Sequence, residues 1–221
     1  MPDLNIRILQ FDQVWEDKQK NFSKIKGLLH NQNDFDLLLL PEMFHTGFTM
    51  NHTTHSEQMT HSAGIDFLKS LSKELNCAIY TSLIIQENEY VFNRGVFIDK
   101  EGMTLYDKRK CFGLGGESES FTPGQNEVIV DFHGWKLNLQ ICYDLRFPEL
   151  IRNELNIDGV AKYDALLYVA NWPKKRIKHW ISLLKARAIE NQCYVIACNR
   201  VGTDGNDIEY NGNSLIVDPN G

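Results

Sequence analysis

The stretch NLQICYDLRFPE, residues 138–149, alternates apolar and polar residues up to Ile141, changes character at Cys142 and then runs into Pro148 and Glu149, a helix-start pairing. It predicts a strand, an elbow and a helix, with Cys142 at the tip. A residue on such a turn stands clear of the sheet, and the backbone N–H groups of the following turn point back at it. Those groups and the helix dipole favour a thiolate over a thiol, and the Tyr143 N–H can hold a developing oxyanion. A bare strand-end cysteine is more often buried apolar filling than a nucleophile. The weight therefore falls on what the rest of the chain supplies.

Outward from the elbow, residues 127–132 and 135–141 read as a hairpin around His133-Gly134, and 148–156 as a helix. An apolar strand follows at 165–170, then a helix at 174–191 with Ile177, Ile181, Leu184 and Ala188 on one face, and a strand at 193–198. Towards the N-terminus, 4–11 is a strand and 14–29 an amphipathic helix. The run LLLL within 36–40 is a buried strand that stops abruptly at Pro41-Glu42. Residues 61–76 read as a helix. Strands 77–85 and 90–98 pair across the turn 86–89, and 103–106 delivers Asp107-Lys108 at a strand end. The span 109–125 has no periodicity, and loops of that length inside compact domains are functional or disordered. The strand begun at 214 stops on the turn Asp218-Pro219-Asn220-Gly221, as if cut short. Strands alternating with helices, some joined as hairpins, give an α/β protein of mixed sheets with helices outside.

With 221 residues, 43% of them hydrophobic, the chain is expected to form one domain over 1–221. A net charge of −6 argues against nucleic acid and against an anionic membrane surface. No leader-like start and no apolar run of membrane-spanning length is present, which points to the cytoplasm. The five cysteines include no C-x-x-C pair and read as free thiols.

Three buried-type strands thus end in Glu42, Lys108 and Cys142, and α/β folds gather reactive groups at the carboxyl ends of strands. A thiol nucleophile must lose a proton, a carboxylate can take it and return it to a leaving amine, and an ammonium can stabilise a tetrahedral oxygen. From position alone, Glu42 reads more readily as a helix or turn cap and Lys108 as a solvated surface lysine, since most charged residues are on the surface. A papain-like arrangement would need an imidazole at a strand end with an orienting partner, and no histidine offers one. His45, His52 and His55 fit no compact metal-ligand spacing.

Pro41-Glu42-Met43-Phe44, Asp107 through Phe112 (DKRKCF) and Gln140 through Glu149 (QICYDLRFPE) resemble the three motifs of the nitrilase, or carbon–nitrogen hydrolase, superfamily, in order and separation. Thr46-Gly47-Phe48, Gly116-Glu117 with Pro123-Gly124, Asn171-Trp172-Pro173, Arg187 through Asn191 and Asn199 through Gly202 extend the resemblance along the chain, towards the omega-amidase branch. It implies a four-layer αββα sandwich that forms a homodimer, and hydrolysis of the side-chain amide of 2-oxoglutaramate and 2-oxosuccinamate with no metal or organic cofactor. It also implies Glu42 as base, Lys108 as oxyanion stabiliser, Cys142 as nucleophile and Glu117 as a second carboxylate. Family members continue past the final turn with further strands and a tail. For the distal carboxylate of such a substrate, Arg146 and Arg109 are the nearest guanidinium groups in sequence, although Arg146 could instead pair with Glu149 on the helix start. Phe44, Trp172 and Tyr143 are expected to wall the pocket. Other amide, N-carbamoyl and nitrile hydrolases share the same catalytic groups, and a non-catalytic binding relative should lack one of them.

Overall fold

The leucines at 37–40 are all fully buried, and strand alternation sends them to two different cores. Leu37 and Leu39 pack between two sheets, whereas Leu38 and Leu40 pack under helices. The computed structural model describes residues 2–32 and 34–221. Its first half runs β1 (Ile6–Ile8), α1 (Lys18–Leu28), β2 (Leu37–Leu39), α2 (His52–His55), α3 (Ala63–Leu75), β3 (Ala78–Glu87), β4 (Tyr90–Ile98) and β5 (Met103–Asp107). These strands form a five-stranded sheet in chain order, in which β1, β2 and β3 are parallel and β4 and β5 follow as antiparallel neighbours.

The second half continues with α4 (Glu117–Ser120), β6 (Ile129–Phe132), β7 (Trp135–Ile141), β8 (Ala165–Val169), α5 (Ile177–Asn191), β9 (Tyr194–Cys198), β10 (Val201–Thr203), β11 (Glu209–Asn211) and β12 (Leu215–Val217). Its five-stranded sheet has the order β12-β9-β8-β7-β6, with β7, β8 and β9 parallel and antiparallel edges. Strands β10 and β11 pair separately as an antiparallel hairpin.

The layers follow from which side chains meet. Phe22 and Ile25 of α1 and Ile65, Leu68, Leu71 and Leu75 of α3, at helical spacing, cover one face of the first sheet. Tyr80 and Phe97, on the alternate positions, face the second sheet, and the Tyr80 hydroxyl donates to the Gln140 carbonyl across the sandwich at 3.0 Å. Trp180, Leu184 and Ala188 of α5 join the core from the outer side. The order is helix, sheet, sheet, helix, as the resemblance implied. Helix α3 starts where the Ser62 hydroxyl accepts the Ile65 N–H at 2.9 Å and ends on the left-handed Asn76.

The expected helix at 148–156 is absent. The chain instead makes two 3-10 turns, Cys142–Arg146 and Pro148–Leu150, and then a side-chain-built loop. Asn156 Oδ1 accepts the N–H groups of Asp158 and Val160, and Asn153 Nδ2 donates to the carbonyls of Tyr163 and Asn191. Asn, Asp and Gly side chains that bond the local backbone compete successfully with helix.

Candidate active site

Glu42 lies just past β2. Thr81 Oγ1 donates to the Pro41 carbonyl at 2.7 Å, the Met43 N–H donates to Ser82 Oγ at 2.9 Å, and Gln13 Nε2 bonds the carbonyls of both Glu42 and Met43. With its backbone pinned in this way, the Glu42 side chain is fully buried. Its Oε1 accepts from Lys108 Nζ at 2.9 Å and from Asn93 Nδ2 at 2.8 Å, and its Oε2 accepts the Asn171 N–H at 2.9 Å.

Lys108 follows β5 directly. Its N–H donates to the Asn93 carbonyl and its own carbonyl accepts the Gly124 N–H at 2.8 Å. A Cβ at 124 would lie 2.1 Å from the Asp107 carbonyl oxygen, so only glycine allows this approach. Glu117 opens α4 after Gly116, whose φ is +78°, and both its oxygens face Lys108 Nζ, at 2.9 and 2.8 Å. Asn93 Nδ2 and the Phe112 N–H complete the Glu117 shell at 2.9 and 2.6 Å. Burial by itself would lower the Lys108 ammonium, but the charges of Glu117 and Glu42 outweigh it and hold the group well above its ordinary value. Lys108 is therefore a fixed cation, with the Phe48 ring centred 5.3 Å from it.

Cys142 occupies the elbow with φ +44°, a left-handed conformation that costs a non-glycine residue about 1–3 kcal/mol and persists only where the surroundings enforce it. Asp144 is the enforcing group. Its Oδ2 accepts the Ile141 N–H at 3.0 Å and the Tyr106 hydroxyl at 2.7 Å, and its Oδ1 accepts the Lys110 N–H at 2.9 Å. One carboxylate thus ties the end of β7 to the segment leaving Lys108. Burial pushes Asp144 up to about 6, against Lys108 and its own hydrogen bonds. Arg187 of α5 donates twice to the Leu145 carbonyl, at 3.1 and 2.7 Å.

The expectation of a resting thiolate does not hold. Cys142 is 8% exposed; burial, and after it the charge of Glu42, push the thiol well above its ordinary value, with Lys108 opposing. The short 3-10 turn does not supply the dipole of a full helix. The Tyr143 N–H is still among the first donors of the turn, which the turn itself leaves unbonded.

A cleft of about 560 Å³ opens above the thiol. Cys142, Tyr143, Arg146 and Trp172 line it, as the sequence predicted, together with Phe48, Phe112, Asn171, Arg176 and the β10–β11 hairpin residues Asp204, Ile208 and Tyr210. Two expected pocket residues lie elsewhere. Phe44 is fully buried among Phe22, His45 and Phe67 under the helices, because the positive φ of Met43, +45°, turns the chain away from the cleft. Arg109 donates to the Leu150 carbonyl at 2.9 Å and to the Tyr106 hydroxyl at 3.3 Å, bracing the 148–150 turn. Arg146 does not form the alternative pair with Glu149; its Nη2 lies 3.1 Å from His179 Nδ1 and its guanidinium sits 5.0 Å from the Trp172 ring.

Asn171 and Asp144 stand in the sequence only as parts of motifs, and Asn93 only as a position on a strand. The signal of the first two lay in the motifs, but the partners of Asn93, Asn171 and Asp144 are 51, 129 and 38 residues away, Asn93 and Asn171 on Glu42 and Asp144 on Tyr106.

A thiol on a strained elbow thus lies at the foot of an open cleft, with an ammonium clamped by two carboxylates beneath it. In comparison with known proteins, the carbon–nitrogen hydrolase family model matches residues 5–221. The chain is 41% identical over 219 residues to an omega-amidase of Yersinia enterocolitica, covering 99% of this chain and 82% of that protein. It is 34% identical over 218 residues to a 2-oxoglutaramate amidase of Bacillus subtilis, covering 97% and 82%. Among solved structures, a carbon–nitrogen hydrolase superfamily protein of Xanthomonas campestris superposes with a TM-score of 0.96 at 37% identity, covering 100% of this chain and 84% of that one. The chain belongs to the carbon–nitrogen hydrolase family of the nitrilase superfamily.

Proposed function

We propose that this protein is an omega-amidase: it cleaves the terminal amide of short 2-oxo dicarboxylic monoamides such as 2-oxoglutaramate and 2-oxosuccinamate to the acid and ammonia. The observation that carries the reading is the Cys142 thiol standing over the Glu42–Lys108–Glu117 cluster in a cleft with cationic side chains. The similarity to relatives named for these activities supports it.

Glu42 takes the thiol proton as Cys142 Sγ attacks the amide carbon, and the tetrahedral oxygen lies between Lys108 Nζ and the Tyr143 N–H. Glu42 returns the proton to nitrogen, the C–N bond breaks and ammonia leaves, giving a thioester. Water then attacks the thioester carbon with Glu42 as base; the C–S bond breaks, and the acid and the thiol are released. Glu117 and Asn93 fix Lys108 and Glu42 so that neither reorganises during the charge shift. Asn171 Oδ1, buried without a partner among the described residues, is an acceptor for an N–H of the scissile amide.

Ammonia release from 2-oxoglutaramate tests the reading. Release from N-carbamoyl amino acids or nitriles with none from 2-oxoglutaramate would replace it by another branch of the family. In this reading the Arg146 guanidinium, 5.0 Å from the Trp172 ring in the cleft lining, meets the substrate carboxylate. Losing a charge-assisted hydrogen bond costs about 1.5–3 kcal/mol, so Arg146→Ala is expected to raise KM for 2-oxoglutaramate on the order of ten- to a hundredfold. An unchanged KM would remove Arg146 from the carboxylate site.

Two copies are proposed to pair so that the four layers continue across the interface. Ile189 of α5 and Ile216 of β12, 54% and 56% exposed, support a covered face there, and light scattering at the monomer mass would exclude it. Five free cysteines and the omega-amidase reading fit the reducing cytoplasm. No helix among the described residues is long and apolar enough to cross a membrane.

A further inference from the structure

Arg176 closes the 3-10 turn Lys174–Arg176 that hands the chain from β8 to α5. The Trp172 indole N–H donates to its carbonyl at 2.9 Å, which fixes the turn against the cleft wall. Its neighbour Lys174 is spent on Glu209 at 2.7 Å. The Arg176 guanidinium is different: it lines the cleft, lies 5.0 Å from the centre of the Phe112 ring, and engages no carboxylate or hydrogen-bond acceptor among the described residues.

The surroundings make the vacancy of its donors informative. Phe112 packs on Tyr143 with ring centres 4.9 Å apart, and the Arg146 guanidinium lies 5.8 Å from the centre of the Tyr143 ring. Two guanidinium groups therefore sit against one aromatic pair beside Cys142. Asp204, the one acidic group of the cleft lining among the described residues, is occupied by its own hairpin. Its Oδ1 accepts the N–H groups of Asn206 and Ile208 at 2.8 and 3.1 Å, and its Oδ2 accepts the Tyr210 hydroxyl at 2.8 Å. Arg176 is a partly buried residue whose guanidinium has N–H donors and no acceptor among the described residues, and a carboxylate matches such a group bidentately.

We propose that Arg176 is a specificity-determining residue that, together with Arg146, grips the substrate's carboxylate, each guanidinium seated on one ring of the Phe112–Tyr143 pair. This deepens the omega-amidase reading and rests on it for the identity of the substrate. It makes selectivity for an acidic amide a two-arginine property, in which each guanidinium retains part of the grip when the other is removed. The aromatic pair excludes water and strengthens both contacts.

The experiment compares the parent, Arg176→Gln, Arg176→Lys and the exposed control Lys175→Gln on 2-oxoglutaramate and on pentanamide, a neutral amide of the same chain length. For Arg176→Gln, the ratio of kcat/KM on 2-oxoglutaramate to that on pentanamide is expected to fall at least tenfold, through KM. Arg176→Lys should recover part of it, and Lys175→Gln should match the parent. Calorimetric binding of 2-oxoglutarate, the reaction product, should weaken in step without depending on turnover. An unchanged ratio with unchanged product binding in Arg176→Gln overturns the proposal. If the parent proves inactive on 2-oxoglutaramate but cleaves N-carbamoyl amino acids, the omega-amidase reading fails alone. Those substrates also carry a carboxylate, and the same loss in Arg176→Gln is then read on them. A parent that prefers pentanamide to every acidic substrate overturns the Arg176 role itself.

Discussion

Cys142→Ala is expected to fold and to release no measurable ammonia from 2-oxoglutaramate. The lost Sγ removes the only route through a thioester, and enzymes stripped of a covalent nucleophile lose on the order of 10⁴–10⁶ in kcat. The variant keeps the features that shape the elbow. Alanine has the same Cβ at φ +44°, and the Asp144 bonds to Ile141, Lys110 and Tyr106 do not involve the sulfur. Removing one buried heavy atom costs about 1 kcal/mol, which for a domain of this size shifts Tm by about 2–4 °C. Ammonia assay beside thermal unfolding separates the two effects. Turnover near the parent rate would place the nucleophile elsewhere.

Glu42→Gln is expected to be nearly as damaging, because both half-reactions pass a proton through this one group. General acid–base catalysis contributes about 10²–10⁴ per step, and here the thiol is held protonated at rest, so acylation cannot begin without an acceptor. Glutamine keeps an oxygen for Lys108 and Asn93 but turns an N–H₂ towards the Asn171 N–H, leaving a donor unsatisfied at about 1–3 kcal/mol. Some loss of stability therefore accompanies the loss of rate. Circular dichroism and thermal unfolding distinguish them: a Glu42→Gln protein that keeps the parent's secondary structure at the assay temperature and still loses amide turnover has lost the proton path, not the fold. Amide turnover within tenfold of the parent would remove Glu42 from the proton path.

Much of this was legible in the chain before its structure. The four leucines ending at Glu42, the strand stopping at Lys108 and the elbow at Cys142 marked three strand ends, and the sandwich brings all three together because the sheets stack face to face. Directions beyond a strand end were not legible. Phe44 follows a residue of positive φ and swings under the helices, and Arg109 follows Lys108 but points to the Leu150 carbonyl. Spacing rules hold only while the backbone stays extended. The helix expected at 148–156 failed for the same reason at the other end, where Asn153 and Asn156 bond the backbone locally. Arg176 was invisible as a pocket residue because it sits in a basic surface run; its place in the cleft lining against Phe112 distinguishes it from Lys174, which pairs with Glu209, and from Lys175.

The clamp on Lys108 bears on a side reaction that this substrate class invites. A 2-oxo acid brings a ketone into a cleft that ends at a primary amine, and an unprotonated lysine there would condense with it to an imine, capturing the substrate in a dead-end adduct. Glu42 and Glu117, with three contacts of 2.8–2.9 Å on Nζ, keep the nitrogen's lone pair bound to a proton well above its ordinary range. The same two carboxylates that, in the proposed mechanism, orient the cation for amide cleavage thus make it chemically inert towards the carbonyl at the far end of a 2-oxo monoamide.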